Sequence, residues 1–171
     1  MKMIDCALDY ASRGWAVFPV YGITDGYCAC GDPTCSSPGK HPMIGGGCKS
    51  ATTNAGTISN WWTEYPNANI GIATGSGSGL LVVDVDEGPG KNGFASLAKL
   101  EDQVGLIPKN LVVRTGSGGQ HIYLKAPDTV VRNSASKLAP FIDIRGEGGY
   151  VVAPPSLHIS GDFYTWENAH A

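Results

Sequence analysis

The run Leu80-Leu-Val-Val-Asp-Val-Asp86 commits the middle of this chain to a buried β-strand, the strongest strand signal in the sequence. Side chains alternate across a strand, so Asp84 and Asp86 project from one side and Val83 and Val85 from the other. Two carboxylates at i and i+2 at the end of an apolar strand repel each other. Keeping both ionised requires a compensating cation, and an oxygen pair of this kind suits Mg²⁺ or Mn²⁺. The plain alternative is a strand end that runs into a polar turn, where aspartate is common. The same repulsion predicts that removing one carboxylate, in the absence of metal, leaves the fold intact or slightly more stable.

Around this strand the periodicity predicts an α+β fold. Ile4, Ala7, Leu8 and Ala11 share one face of a short helix over 4–11, ended by Gly14, and a strand follows over 15–20. Asn54 is placed to cap a helix over 54–65, with Ile58, Trp61, Trp62 and Tyr65 on one face and Pro66 as its stop. A short strand over 69–74 enters the glycine-rich turn 75–79. A third helix is expected over 92–104, capped by Asn92, with Phe94, Leu97, Leu100 and Val104 inward and Gly105 as its stop. Further strands are expected over 111–114, 121–125, 141–145 and 150–153. With no internal repeat and no linker, the 171 residues read as one domain over 1–171, its helices packed on one face of a mostly antiparallel sheet.

Two further motifs carry polar chemistry. In Arg114-Thr-Gly-Ser-Gly-Gly-Gln-His121 a strand ends in a glycine-rich turn and His121 opens the next strand. Backbone N–H groups of such a turn approach a ligand closely, which makes Ser117, Gly118 and Gly119 candidate phosphate contacts and His121 a further donor. The alternative is an ordinary hairpin turn beside a histidine. In Phe141-Ile-Asp-Ile-Arg-Gly146, Asp143 and Arg145 share a face, with Ile142 and Ile144 on the other. They either pair in solvent, or Asp143 is a third metal ligand and Arg145 a triphosphate anchor, because arginine grips phosphate bidentately. Taken together, three carboxylates, a histidine and an arginine on strand ends suit two-metal phosphoryl transfer.

Composition narrows the class. Only 16% of residues are charged and the net charge is −3, so a basic nucleic-acid-binding domain is excluded, and any grip on DNA or RNA must come from a local patch or bound metal. No apolar stretch has the length of a membrane span, and Asp5 interrupts the N-terminus before any signal-peptide core. The five cysteines are therefore expected in a reducing compartment, where clustered cysteines mean metal more often than disulfides.

The run from Gly71 to Asp86, followed by Gly118-Gly-Gln-His-Ile-Tyr123 and Phe141-Ile-Asp-Ile-Arg-Gly146, closely resembles the bifunctional primase-polymerase (prim-pol) domain of the archaeo-eukaryotic primase superfamily, typical of phage and plasmid replication proteins. The resemblance extends from Ala7-Leu-Asp-Tyr-Ala-Ser-Arg-Gly-Trp15 to Val152-Ala-Pro-Pro-Ser156 and includes Gly39-Lys-His-Pro42 and Ile58-Ser-Asn-Trp-Trp62. It implies that Asp84 and Asp86 form the first catalytic motif, His121 the second and Asp143 the third. It also implies an RRM-like catalytic sheet with an α/β N-terminal lobe, two catalytic Mg²⁺ or Mn²⁺ ions, a single-stranded DNA template, and dNTP or NTP substrates. A helicase, fused or separate, and the cytoplasm of a bacterial or archaeal host follow from the same resemblance. One departure is Gly119, where the superfamily's second motif often carries serine; backbone N–H groups of Gly118 and Gly119 are expected to stand in for the hydroxyl. Two other readings compete. A metal-dependent nuclease or replication initiator needs a nucleophilic tyrosine or a histidine pair, and the motifs hold one histidine. A non-catalytic zinc-bearing nucleic-acid-binding module has no need of three aligned carboxylates.

The segment Cys28-Ala-Cys-Gly-Asp-Pro-Thr-Cys35-Ser-Ser-Pro-Gly-Lys-His41 presents Cys28, Cys30, Cys35 and His41 in a loop rich in glycine and proline. Three thiolates and an imidazole suit a closed, structural Zn²⁺ site, in an insertion over about 26–48. Cys48 is the rival fourth ligand if His41 faces the nucleotide instead, and prim-pol relatives carry zinc-binding insertions. Cys6 is expected in the core. Lys40 either reaches a phosphate or is a solvated loop lysine. Arg114 either approaches base or template or is a strand-end surface charge. Trp61 and Trp62 either stack on bases or pack in the core, and His158 and His170 receive no role.

Overall fold

A computed structural model describes residues 2–167; His170 lies outside them. Helix α1 (Met3–Ser12) is followed by strand β1 (Val17–Val20), the hairpin β2 (Ile23–Thr24) and β3 (Tyr27–Cys28), a 3-10 turn at Gly47–Ser50, and helix α2 (Ala55–Glu64). Then come β4 (Asn69–Ala73), β5 (Leu80–Val85), the hairpin β6 (Glu87–Gly88) and β7 (Lys91–Asn92), and helix α3 (Gly93–Val104). Strands β8 (Val112–Arg114), β9 (Gln120–Lys125), β10 (Ser134–Ala139), β11 (Ile142–Arg145), β12 (Tyr150–Ala153) and β13 (Thr165–Trp166) complete the chain.

The caps form where the sequence signals them. Asn54 Oδ1 accepts the Thr57 N–H at 2.9 Å and Asn92 Oδ1 the Ala95 N–H at 3.2 Å, each satisfying an otherwise unpaired first-turn donor. Ile58 and Trp62 of α2 are buried, and the Trp62 indole donates to the Ala68 carbonyl at 3.1 Å; both tryptophans of this helix therefore serve the core, Trp61 from its half-buried edge.

The strands divide into two sheets rather than one, and every strand pairing in them is antiparallel. A three-stranded sheet runs β1-β4-β12, and a six-stranded sheet runs β10-β11-β5-β9-β8-β13. The α+β expectation holds, but the helices are distributed. Helices α1 and α2 lie on the small sheet, and α3 covers the far face of the large one. The alternation of β5 explains this. Leu80 and Val82 join Val113, Tyr123 and Tyr164 in the core shared with α1, α2 and the small sheet, whereas Val83 and Val85 pack with Ile122, Ile142 and Ile144 against Leu97 and Leu100 of α3. No helix among the described residues is long and apolar enough to cross a membrane.

The inward stripe of α3 differs from the expected one. Gly93, Leu97 and Leu100 are buried, while Phe94 and Val104 are 39% and 68% exposed. The cause lies at the helix start. A Cβ at position 93 would collide with the Asp86 carbonyl, so the glycine lets the helix press directly on β5, and that contact sets its rotation. Strand β10 carries no apolar alternation; it is an edge strand of mostly exposed residues.

Candidate active site

The ladder of the large sheet puts Asp143 of β11 directly opposite Asp84 of β5, and Asp84 directly opposite His121 of β9. Directly opposed side chains on one face stand close enough to interact, so three motifs distant in sequence become one row. The compensating cations come from the chain itself. Arg145 donates to Asp84 Oδ2 from Nε (3.2 Å) and Nη2 (2.9 Å), and its Nη2 also reaches Asp143 Oδ2 at 3.0 Å. The Lys91 ammonium, on the β6–β7 hairpin, lies 3.1 Å from Asp86 Oδ2. Asp143 Oδ1 accepts the Ser136 N–H at 2.9 Å. Asp84 is thus a partner and not a lone repelling charge, which overturns the expectation that its removal is neutral or stabilising.

His121 is buried, with Nε2 3.5 Å from Asp84 Oδ1 and Nδ1 without a partner. Burial pulls its pKa below the usual histidine value, and the attraction of Asp84 only partly offsets this, so the ring is neutral near pH 7. Burial likewise lowers Lys40, against the opposing pull of Asp84 and Asp86. Burial also works against the charge on Arg145, but Asp84 and Asp143 outweigh it and the guanidinium stays a fixed cation.

These groups line a cleft of about 330 Å³ between the two sheets. Asp84, Asp86, His121 and Arg145 form one wall, Tyr150, Val151 and Val152 of β12 another, and Lys40 and Ser117 also reach it. Asp143 sits behind Arg145 and does not line the cleft. Arg114 is exposed and outside it, opposite Thr165 and Gln120. The glycines of the His121 turn act structurally. The Gly118 N–H closes the turn onto the Thr115 carbonyl at 3.0 Å, and a Cβ at Gly119 would collide with the Val85 carbonyl. A serine therefore has no room at 119. Hydroxyls are instead offered by Thr115 and Ser117, 3.0 Å apart, both lining the cleft.

Several lining residues are not among those singled out in the sequence: Ser37, Thr115, Asn133, Tyr150 and Tyr164. The Tyr164 ring lies 5.9 Å from that of His121 and 6.0 Å from that of His158, and the Ser160 hydroxyl bonded to His158 donates to the Gly116 carbonyl at 2.7 Å. His158 thus braces the glycine turn from behind. Only the β-prone Tyr164-Thr165-Trp166 run hinted at this segment.

A second cluster lies beside the cleft. The ligand atoms of Cys28, Cys30, Cys35 and His41 all lie within 4.8 Å of one another, the one group of three or more such side chains this compact among the described residues. Asp84, Asp86 and Asp143 do not converge to that degree. Cys48 points away, its thiol 3.4 Å from the Gly148 carbonyl, so the structure brings His41 and not Cys48 to the three cysteines. The four donors fit a tetrahedral thiophilic ion. Ligands about 2.3 Å (sulfur) and about 2.0 Å (nitrogen) from such an ion stand about 3.5 Å apart, and Cys28 Sγ and His41 Nε2 are separated by 3.4 Å. Burial opposes ionisation of Cys28, but hydrogen bonds from the backbone of Cys30 and Gly39 and from the His41 and Cys30 side chains outweigh it and bring the thiol down to about 6.

The bifunctional DNA primase/polymerase N-terminal family matches the chain over residues 7–171. Among curated proteins, no sequence matches it significantly.

Proposed function

Because the chain belongs to the bifunctional DNA primase/polymerase N-terminal family, we propose that it joins nucleotides on a single-stranded DNA template, with dNTP or NTP as substrate. The observation that carries this reading is the Asp143–Asp84–His121 row, with Arg145 bridging its carboxylates and Asp84, His121 and Arg145 lining one cleft. The carboxylates already share a cation, and their donor set is oxygen alone, which suits Mg²⁺ or Mn²⁺ at Asp84, Asp86 and Asp143. Such ions, when bound, lower the pKa of an attacking 3′-hydroxyl and offset charge at the α-phosphate. The chain's own groups hold the phosphate tail. Arg145 offers a planar fork, Lys40 a second cation, Ser117 a hydroxyl and neutral His121 an N–H donor. These donors stabilise the charge that builds on departing pyrophosphate. Divalent ions also reconcile a net charge of −3 with a polyanionic template.

The six-stranded sheet with α3 is read as the RRM-like core, the small sheet with α1 and α2 as the N-terminal lobe, and residues 1–171 as a single catalytic unit with an insertion over about 26–48. The Cys28–Cys30–Cys35–His41 cluster holds a structural Zn²⁺. The setting is phage or plasmid replication in a bacterial or archaeal cytoplasm, beside a helicase. A nuclease reading finds poor support, because burial raises the hydroxyl pKa of both tyrosines in the cleft, Tyr150 and Tyr164, away from nucleophilic use.

The test is extension of a primed template with labelled dNTP and Mn²⁺ or Mg²⁺. The wild-type chain extends the primer, and Asp143→Asn, checked for folding by circular dichroism, does not. Near-wild-type extension by the folded variant would sink the assignment.

A further inference from the structure

The cysteine loop meets the cleft through two side chains. Chain segment 29–46 contains no helix or named strand, and within it residues 36–40 form a strap running from Cys35 to His41. Ser37 and Lys40 of this strap line the same cleft as Asp84, Asp86, His121 and Arg145. Among the residues lining it are one lysine and one arginine, Lys40 carried by the strap and Arg145 by β11. A phosphate tail arriving over the carboxylates needs positive charge beyond that of Arg145, which is already bound to Asp84 and Asp143, and Lys40 is the lysine that the strap brings to the cleft.

Lys40 cannot be placed by secondary structure, so its position depends on how the strap is fastened. Both ends of the strap are members of the Cys/His cluster, and between them the Gly39 N–H bonds the Cys28 sulfur. Three carbonyl contacts complete the fastening, one of them at the His41 end, where the Tyr21 N–H donates to His41 O at 2.9 Å. Asn69 Nδ2 donates to Gly39 O and the Tyr150 hydroxyl donates to Lys40 O, each at 2.9 Å. Gly39 itself, at φ +73°, lies so close to Ile23 that a Cβ there would stand 2.9 Å from Cδ1. The strap therefore has little slack where Lys40 departs from it.

We propose that the Cys28–Cys30–Cys35–His41 centre, when it holds its metal, positions Lys40 and Ser37 for the phosphate tail of the nucleotide, so that the metal centre governs triphosphate affinity. This rests on the reading of the cleft as the nucleotide site. Cys35 and His41 are positioning residues that act through Lys40. Opening the cluster frees the Cys35 end of the strap and the His41 ring, leaves the strap held at its carbonyls alone, and lets the lysine swing toward water, where its long, flexible stem regains rotamer freedom. The effect falls on the β- and γ-phosphates and leaves the carboxylates on the large sheet untouched.

The test is calorimetric binding of dATP and of dAMP, each with Mn²⁺, to the full chain and to Lys40→Ala, Cys35→Ser, the double variant and His41→Cys. Lys40→Ala and Cys35→Ser should each weaken dATP binding by about tenfold or more and leave dAMP binding nearly unchanged. The double variant should be no weaker than the weaker single one, because both changes remove the same contact. His41→Cys keeps four ligands and should retain the wild-type dATP affinity. In primer extension the two weakened variants should raise KM for dATP more than they lower kcat. Should Cys35→Ser fail to fold, wild-type protein stripped of zinc by a chelator and exchanged into Mn²⁺ buffer, held below its melting temperature, gives the same comparison. Full dATP affinity after loss of the zinc, or additive losses in the double variant, would overturn the proposal. If Lys40→Ala weakens binding and loss of zinc does not, the nucleotide site stands and the coupling falls. If the wild-type chain binds no dATP at all, the reading of the cleft falls and the coupling with it.

Discussion

Replacing Arg145 with methionine removes the cation that joins Asp84 to Asp143 while keeping much of the stem's volume. Its Nη2 stands 2.9 Å from Asp84 Oδ2 and 3.0 Å from Asp143 Oδ2. At an effective dielectric of about 20, unit charges about 4 Å apart attract by about 4 kcal/mol. Two such attractions act here, but Arg145 is 35% exposed against 13% and 12% for the two carboxylates. Water screens the pairs, and folding must also strip water from the guanidinium, so the sum shrinks by more than half. What remains is the cost of leaving two facing carboxylates without their partner, about 2–4 kcal/mol. For a chain of this size about 1 kcal/mol moves the melting temperature by about 2–4 °C, so Arg145→Met should melt roughly 10 °C below the wild type in metal-free buffer. Adding Mn²⁺ should then raise the melting temperature of the variant more than that of the wild type, because in the wild type the ion competes with the guanidinium for the same oxygens. Differential scanning calorimetry with and without Mn²⁺ gives both quantities. A variant that melts with the wild type in metal-free buffer, or that gains less from Mn²⁺, would refute this account of how the carboxylates are held.

The two aspartates of β5 and its end should respond differently to neutralisation. Asp84→Asn strips Arg145 of a two-donor partner and should cost about 2 kcal/mol, whereas Asp86→Asn loses only a surface pair with Lys91, 47% exposed at the lysine, and should cost at most about 1 kcal/mol; urea unfolding distinguishes them, and both should lower incorporation at least about a hundredfold. Chelation should remove one zinc ion per chain, seen by elemental analysis, and lower the melting temperature, since metal binding is coupled to ordering of the loop; a metal-free protein that melts unchanged would argue against the site. Burial raises the hydroxyl pKa of Tyr10, Tyr123 and Tyr164, so their contribution to stability is complete below about pH 10 and is lost as pH climbs beyond it, because the unfolded chain sheds protons that the folded chain keeps. Tyrosinate absorbance should therefore rise late and together with unfolding. Gly71→Ala sets a Cβ 2.6 Å from Phe18 Cζ and should destabilise by about 1–3 kcal/mol through overpacking, read by thermal melting.

Alternation along the strands made the row legible in the sequence. Valines and isoleucines at 83, 85, 142 and 144 mark the α3 face of β5 and β11, which forces Asp84, Asp143 and Arg145 to the other side. The helix caps at Asn54 and Asn92 were equally plain, because capping is settled within four residues. The second sheet was not legible, since β12 differs from its neighbours in nothing local and the turn at 146–149 carries the chain from β11 across to pair with β4. Tyr164 and His158 escaped for a similar reason: a return of the chain brings Tyr164 to His121 and His158 to Tyr164, and nothing in their own neighbourhood encodes that return. The pairing of Arg145 with Asp84, beyond its neighbour Asp143, was hidden too. Sequence places both groups on one face and says nothing about which anion is nearest.

The cross-strand row also bears on how such a site can change over generations. Asp143, Asp84 and His121 are aligned by backbone hydrogen bonds within three adjacent strands, and the segments that join those strands run outside the row. Lengthening the turn after Gly88, or the stretch between β9 and β10, alters the rim of the cleft while the ladder keeps the three groups in register. A single residue gained or lost inside β5 does the opposite, turning both carboxylates toward α3 and two valines into the cleft. Inheritance can therefore revise what the cleft admits by insertion and deletion in its loops, while within the three strands it is confined to substitution.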